Sequence, residues 1–351
     1  MNNSTSWHFA FPERAPLVLI VLLNWNSAVE TATAVASARE MDYPNFRILI
    51  VDNGSEQESL AQLRPLVKDR VELLESPRNN GFTGGCNLGI KRALELDAKY
   101  IWLLNNDAVV ERHTLSSIVA LAEKDPAIGL VTPQIAVLGE DRLTFAGGVI
   151  SVKDGIYNET HDPAVAEEWN AKYPDCGLVI GTAMLVRAEL ARRIGGLDER
   201  FFAYFEDIDY SVRSREAGFR NLVDPNSVVC HLEKNRNLRP FEIKPHYWYY
   251  LARNESRFWR KHRGRGGSLR LCWYSFNGFL RHYNRLAGKL ESRKAILAGL
   301  WDGWLDRGGA FRADARMPSL PAALVRIYSR RSALQPRIDP AANSAWQATD
   351  S

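Results

Sequence analysis

Four short apolar runs, each leading into a cluster of Asn, Asp or Gly, constrain the fold of this chain more than any other feature. They cover residues 17–23, 46–51, 71–74 and 100–104. Between them, residues 28–40, 56–69 and 85–98 carry helical spacing. Strands that alternate with helices read as βαβ units, and runs this apolar read as a parallel sheet buried on both faces. Right-handed crossovers then leave few topologies. The clusters are Asn24-Trp25-Asn26, Asp52-Asn53-Gly54-Ser55, Asn79-Asn80-Gly81 and Asn105-Asn106-Asp107. Ligands of open α/β sheets bind outside the carboxyl ends of the strands. A single cluster of this kind is ordinary turn chemistry. Four at corresponding positions predict a binding site along one edge.

Further along, residues 128–135, 145–152 and 178–186 read as strands, and a helix is expected from Glu206 to about Ala217 with Gly218 as its stop. Two more short strands are expected at 219–223 and 227–231, extending the first sheet. From Pro245 the pattern is helical. Trp248, Leu251, Phe258 and Trp259 share one spacing, and the glycine-rich stretch 263–267 breaks it. Leu269, Trp273, Phe276, Leu280 and Tyr283 then form a stripe flanked by Arg270, Arg281, Arg285 and Lys289, and a third helix covers 294–306. The domain reading is an N-terminal extension (1–16), an α/β domain (17–240), a basic helical extension (241–317) and a loosely ordered tail (318–351).

Charge is divided along the chain. Residues 1–233 hold 22 Lys and Arg against 33 Asp and Glu, whereas residues 234–331 hold 22 against 6. A basic section of this kind suits an anionic membrane surface or nucleic acid. No recognisable RNA or DNA module accompanies it, so nucleic acid is not the expected partner. The alternative is that its aromatic residues pack against the α/β domain. The run at 17–23 lacks the positive flank and cleavage site of a signal peptide, and no stretch reaches the length of a membrane span. The four cysteines, Cys86, Cys176, Cys230 and Cys272, form no CxxC pair and read as reduced thiols of a cytoplasmic protein.

Two nucleotide motifs are missing. The first strand is not followed by GxGxxG, and no GxxxxGK[ST] occurs. The glycine-rich stretch NNGFTGGCNLG follows the third run instead. Its glycines allow close backbone approach, and a helix starting near Gly85 would aim N–H groups at negative charge, with Asn80 and Asn87 adding side-chain contacts. Asp52 is placed to accept hydrogen bonds from a ribose or a pyrimidine. Asp107 at a strand end suits Mg²⁺ or Mn²⁺, which take hard oxygen ligands and substrate phosphates. Glu206, Asp207 and Asp209 crowd a helix start behind Phe201, Phe202, Tyr204 and Phe205, where one carboxylate can act as a general base. His231 ends a short apolar strand and can complete a metal site with Asp107.

In order and spacing, LNWNS (23–27), VDNGS (51–55), NNGFTGGCNLG (79–89), LLNND (103–107), GTAMLVR (181–187) and GGLDERFFAYFEDIDYSVRSREAGFR (195–220) resemble the inverting family 2 glycosyltransferases of GT-A fold, especially their bacterial rhamnosyltransferase branch. The resemblance covers residues 17 to about 232. It implies that Asn24 and Asp52 contact the nucleotide base and that Asn80 and Asn87 help hold the donor. Asn105-Asn106-Asp107 would stand for the DxD-like metal motif, with Asn in place of the first Asp. Asp207 would be the catalytic base, His231 a further metal ligand, and Gly181, Thr182 and Glu206 would lie on the acceptor side. The implied donor is thymidine-diphosphate rhamnose, with uridine-diphosphate galactofuranose, glucose or N-acetylglucosamine as alternatives. The implied acceptor is a glycan or lipid-linked glycan of a bacterial surface polysaccharide, reached at the inner face of the cell membrane. A non-catalytic sugar-binding protein on the same fold is the competing reading. The presence of Asp107, Asp207 and His231 together argues against it.

Overall fold

The four apolar runs form the strands β1 (Val18–Asn24), β2 (Phe46–Asn53), β3 (Val71–Ser76) and β4 (Tyr100–Asn105), parallel and in the order β3-β2-β1-β4. The computed structural model of the protein describes residues 15–140, 142–174, 176–232 and 243–332. The helices α1 (Ala28–Arg39), α2 (Gln57–Leu63) and α3 (Gly81–Glu95) make the crossovers. Alternate residues of each strand serve opposite faces, as the pleat requires. Val18, Ile20, Leu22, Ile48 and Trp102 pack with Ala34, Val35 and Ala38 of α1. Leu19, Val21, Leu49 and Leu103 pack with Cys86, Ile90 and Ala93 of α3. Register puts Asn24 beside Asp52 and Leu23 beside Asn105, so the polar clusters do share one edge.

α3 begins at Gly81, four residues before the expected start. Its glycines serve packing. A Cβ at Gly85 would lie 2.2 Å from a Leu23 methyl, and one at Gly89 would lie 2.3 Å from Val21. The helix can therefore sit closer to β1 than a side chain would permit.

The second half of the sheet is mixed. It is built from β5 (Ala108–Val110), α4 (Thr114–Glu123), β6 (Ile128–Val137), β7 (Leu143–Phe145), β8 (Gly147–Ser151), β9 (Ile156–Thr160), α5 (Pro163–Lys172), β10 (Ala183–Arg187), α6 (Ala188–Ile194), α7 (Glu206–Glu216) and β11 (Arg220–His231). β10 runs antiparallel between β4 and β6, and β11 pairs with β6 and β5. Three expectations shift. The run at 145–152 divides between β7 in the large sheet and the separate β8–β9 hairpin. The strand expected at 178–186 begins only at Ala183. The two strands expected at 219–223 and 227–231 are one, with a bulge between Asp224 and Val228. The buried Asp224 carboxylate holds that bulge by accepting from the Ser117 hydroxyl (2.5 Å), the Ser227 hydroxyl (2.7 Å) and the Asn226 N–H (3.1 Å).

Beyond this, α8 (Pro245–Arg285) is kinked at Gly264, whose φ of 66° leaves the helical region. α9 (Leu290–Trp304) returns along its first half. Gly299 lets it approach the α8 backbone, since a Cβ there would lie 2.4 Å from the Tyr249 carbonyl oxygen. Trp248, Phe258 and Trp259 of α8 are buried with Phe201, Phe205, Ile208 and Val212, in one core with α7. The tail expected to be loose carries α10 (Ser319–Ser332). The expected extension at 1–16 and the boundary at 240/241 fall almost wholly outside the described residues.

Candidate active site

One hydrogen-bond network runs along the carboxyl edge of the sheet. Asn24 donates to the Asp52 carboxylate (2.9 Å) and accepts from the Thr31 hydroxyl (2.9 Å). Thr31 in turn accepts from the Asn106 amide (2.9 Å), and Asp52 also accepts the Ser55 N–H (3.1 Å). Asn24 is 0% and Asp52 2% exposed. Both spend polar groups bracing β1, β2 and α1, and the loop after β2 forms the accessible rim.

The third cluster is organised by a residue the sequence reading did not single out. Asn53, also buried, donates to the Gly81 carbonyl (2.9 Å) and accepts the Asn80 N–H (3.0 Å). Asn80 folds back, its amide on the Ser76 hydroxyl (2.8 Å) and its carbonyl oxygen accepting from Arg78 (3.2 Å). Asn87 corrects an expectation more sharply. Its carbonyl oxygen accepts the Leu197 N–H (2.8 Å), and its amide donates to the Leu197 carbonyl (2.9 Å) and Glu199 (3.0 Å). It fastens α3 to the loop before α7 and has little left for a ligand.

At the end of β4 the geometry gathers what the sequence kept apart. β5 and β11 pair so that His231 stands opposite Ala108, which brings its Nε2 to 2.9 Å from an Asp107 carboxylate oxygen. The Asn105 amide lies 3.3 Å from the same nitrogen. Asn105 also donates its backbone N–H to the Thr182 carbonyl (2.9 Å), and the adjacent Gly181 donates its own to Asp207 (2.9 Å). The Asp107–His231 pair and Asp207 are thus linked through two neighbouring residues. One carboxylate and one imidazole, with no third His, Cys, Asp or Glu joining them among the described residues, suit a divalent ion that takes its remaining ligands from diphosphate oxygens and water.

The approach to Asp207 is strained. Phe202, Tyr204 and Phe205 all have positive φ (64°, 67° and 73°), a conformation that costs a non-glycine residue of order 1 kcal/mol or more. α8 holds the loop in place. Asn254, fully buried, donates to the carbonyls of Phe201 (3.0 Å), Ala203 (2.7 Å) and Tyr204 (2.8 Å). Arg253 also donates to the Phe201 carbonyl (2.6 Å), and Arg257 to that of Arg200. Two residues past Asp207, the buried Asp209 accepts from Arg213 (2.7 Å), Lys261 (2.6 Å) and His262 (2.9 Å). Burial opposes its charge, but the hydrogen bonds and these cations outweigh it and hold its pKa below the ordinary value. Nothing in the sequence spacing of α8 pointed to these supports, because the partners are carbonyls some 50 residues away.

Glu206 and Asp207 differ in environment. Asp207 accepts the N–H groups of Gly181 (2.9 Å) and Ile208 (2.8 Å), so burial raises its pKa and these bonds recover part of the shift. Glu206 is 6% exposed, and its Oε2 has no hydrogen-bond partner among the described residues. Burial, and then the neighbouring Asp207, push its pKa well above the ordinary 4.5. Of the two, Glu206 is the more strongly disfavoured as an anion, and Asp207 has the N–H partners that favour its ionised form. A carboxyl with a raised folded-state pKa binds its proton more tightly folded than unfolded, so it costs stability as pH climbs above its unfolded value. Glu206→Gln should accordingly raise the melting temperature at pH 7.5, by roughly 1–2 °C for each kcal/mol relieved in a chain of this length. That gain should shrink as the pH falls toward 4.5. A gain that ignores pH would place the effect in packing.

Near Phe205 and Asp207, β9 supplies two residues that no motif announced. Tyr157 donates its hydroxyl to Glu159 (2.7 Å), and its ring lies 6.2 Å from that of Phe205. The Glu159 side chain is crowded by protein yet still reached by water. The crowding pushes its pKa up to about 7, with the Tyr157 hydrogen bond opposing and the Asp207 charge adding.

Residues 19–195 match the family model described as glycosyl transferase family 2. The chain belongs to that family. Family 2 relatives include the N-acetylglucosaminyl-diphospho-decaprenol L-rhamnosyltransferase of Mycobacterium tuberculosis, 25% identical over 61% of this chain and 76% of that protein. The dTDP-rhamnosyl transferase RfbF of Shigella flexneri is 20% identical over 70% of this chain and 80% of its own. The chain spans 25% and 52% of the length of two other relatives, each 26% identical. Among solved structures, a Pyrobaculum calidifontis mannosyltransferase in complex with GDP-mannose and Mn²⁺ superposes with a TM-score of 0.54. It is 17% identical, and the match covers 94% of this chain and 88% of that one. The fold is thus GT-A. The family 2 match stops at residue 195, so the placement of Asp207, His231 and Asn254 rests on this structure's own geometry.

Proposed function

We propose that the protein is a metal-dependent, inverting glycosyltransferase that moves L-rhamnose from a thymidine-diphosphate donor to a hydroxyl of a lipid-linked glycan. Bacterial surface polysaccharide synthesis is the setting, at the inner face of the cell membrane. The observation that carries the reading is the link from Asp107 and His231 through Asn105, Thr182 and Gly181 to Asp207. It supports the reading because the carboxylate–imidazole pair and Asp207 lie at one sheet edge. The rhamnosyl donor is supported by the names of the relatives. Uridine-diphosphate sugars are the alternative.

Asp107 and His231 would hold Mg²⁺ or Mn²⁺, which when bound neutralises the charge of the diphosphate leaving group. The chain's own residues do the rest. The edge from Asn24 and Asp52 to Asn53 shapes the nucleotide site. Gly181 and Ile208 hold the Asp207 carboxylate by two N–H groups, so that it receives the acceptor's proton as oxygen attacks the anomeric carbon. Attack from the face opposite the diphosphate inverts configuration. Glu206, protonated, adds no second negative charge. Tyr157, Glu159 and Tyr204 offer the acceptor sugar hydroxyl partners and an aromatic wall.

Thermal stabilisation by a panel of nucleoside diphosphates tests the donor site, because a ligand of the folded state alone raises the melting temperature. Thymidine or uridine diphosphate should stabilise the protein with Mn²⁺ and not with chelator. Asp107→Ala should remove the metal-dependent part, reducing it by several degrees. Stabilisation by neither nucleotide, or stabilisation unaffected by Asp107→Ala, would sink the assignment.

A further inference from the structure

The second half of α8 and α10 together present an apolar face to solvent. On α10, Ala322 is buried and Val325 half-buried, while Leu320, Leu324 and Ile327 project from the opposite side at 73%, 60% and 53% exposure. Their i, i+4, i+7 spacing makes one stripe. α10 is seated on α8 through Tyr328, whose ring lies 5.5 Å from Trp273 and whose hydroxyl donates to Asn277 (3.1 Å). Beside this contact, Leu269 and Trp273 of α8 are themselves 64% and 52% exposed. The sequence stripe that included them is split by the fold: Leu280 and Tyr283 are buried, whereas Leu269 and Trp273 remain outside.

The charge around this face has one sign. Arg270, Arg281 and Arg285 follow one another along the α8 surface next to the apolar stripe, at i, i+11 and i+15, and all three are exposed. Exposed Arg326 lies on the flank of α10, about 100° around the helix from Ile327. The section 234–331 holds 22 Lys and Arg against 6 Asp and Glu. No described helix is long and apolar enough to cross a membrane, so the apolar side chains would enter only the interfacial layer. Leucine, isoleucine and tryptophan rimmed by arginine are complementary to anionic headgroups above acyl chains. An acidic protein partner would match the arginines and leave the Leu320–Leu324–Ile327 stripe without a large apolar counterpart.

We infer that the face formed by Leu269, Trp273, Leu320, Leu324 and Ile327, with Arg270, Arg281 and Arg285, docks the protein on an anionic lipid bilayer. The inference deepens the proposed function, since a lipid-linked acceptor is met at that surface. It is tested apart from catalysis, by co-sedimentation of the full chain with vesicles of phosphatidylcholine alone or with 30% phosphatidylglycerol, about the composition at which surface charge governs basic peripheral proteins. The full chain should bind the anionic vesicles and leave the neutral ones, and 0.5 M salt should weaken binding several-fold, as it screens charges beyond about 5 Å. L320S/L324S/I327S should lose roughly ten-fold or more in partitioning, about 0.8 kcal/mol being lost per buried CH₂. These side chains touch no catalytic group, so the variant should keep its nucleotide-dependent stabilisation. Equal binding by the variant, equal binding to neutral vesicles, or no binding by the full chain would each overturn the proposal. So would a lipid-free dimer that the triple variant converts to monomer, which would make the face a contact between two copies. Loss of nucleotide stabilisation with vesicle binding intact would instead defeat the catalytic reading alone.

Discussion

Asp207→Asn is expected to lower sugar transfer on the order of 10³-fold, within the range a positioned general base contributes, while nucleotide binding stays intact. The amide is nearly isosteric with the carboxylate, and its oxygen can still accept the Gly181 or Ile208 N–H. The proton acceptor is what disappears. Glu206 is ill suited to substitute, because burial and the neighbouring Asp207 disfavour its ionised form. Release of nucleoside diphosphate from the donor in the presence of acceptor gives the rate, and thermal stabilisation gives binding. The pH profile adds a second readout. Asp207 must be ionised to work, and burial raises its pKa, so the acidic limb of kcat should lie above the ordinary carboxylate range. A variant that keeps near-normal turnover, or a wild-type rate flat from pH 4 to 8, would remove Asp207 from the role.

Asn254→Ala is expected to produce the largest stability loss of any single substitution near the site. One buried amide nitrogen, with two N–H groups, lies within hydrogen-bond distance of three carbonyls of the loop 201–204, in which Phe202 and Tyr204 have positive φ. Removing it leaves those acceptors short of a donor and leaves the strain unopposed. At about 1 kcal/mol for each of the two N–H groups lost, with a further cost for buried carbonyls, the loss is roughly 2–4 kcal/mol. That corresponds to a fall in melting temperature of roughly 3–6 °C for a chain of this length. Arg253 still holds the Phe201 carbonyl, so folding should survive at low temperature. If Asn254 positions the loop, the surviving enzyme should lose kcat more than donor affinity, because Asn24, Asp52 and Asp107 are held by other contacts. A drop confined to stability, with kcat unchanged below the transition, would make Asn254 a purely structural residue.

The contact also changes how the helical extension is understood. On charge alone it reads as a separate basic module. In the structure its first half is buried against α7 and supplies the supports of the Asp207 loop. After Gly264 its second half folds back along the first, with Phe279, Leu280 and Tyr283 buried and Leu269 and Trp273 exposed. Packing of the aromatic residues, one of the two readings that composition left open, is thus seen on both sides of a glycine whose φ of 66° changes the direction of the helix.

Much of the fold was legible because local physics repeats. Apolar strands with period two and helices between them define a parallel sheet from residue 18 to 105, and strand-end Asn and Asp residues follow from that topology. Asp107 and His231 were legible as types, a hard oxygen ligand at a strand end and an imidazole at the end of another. Their 2.9 Å approach was not, since it needs the antiparallel pairing of β5 with β11 across 124 residues. Asn80 and Asn87 show the reverse failure. An amide in a glycine-rich stretch looks available in sequence, but whether it is free depends on which backbone it meets, and for Asn87 that is Leu197. Sequence by itself determined the sheet, its binding edge and the residue types gathered there, because periodicity and turn chemistry act over a few residues. Only the tertiary structure decided which carboxyl is the most disfavoured as an anion, which asparagine supports the strained loop and which side chains of the basic section face water. Burial and long-range hydrogen bonds are set by neighbours that the chain brings together from far apart.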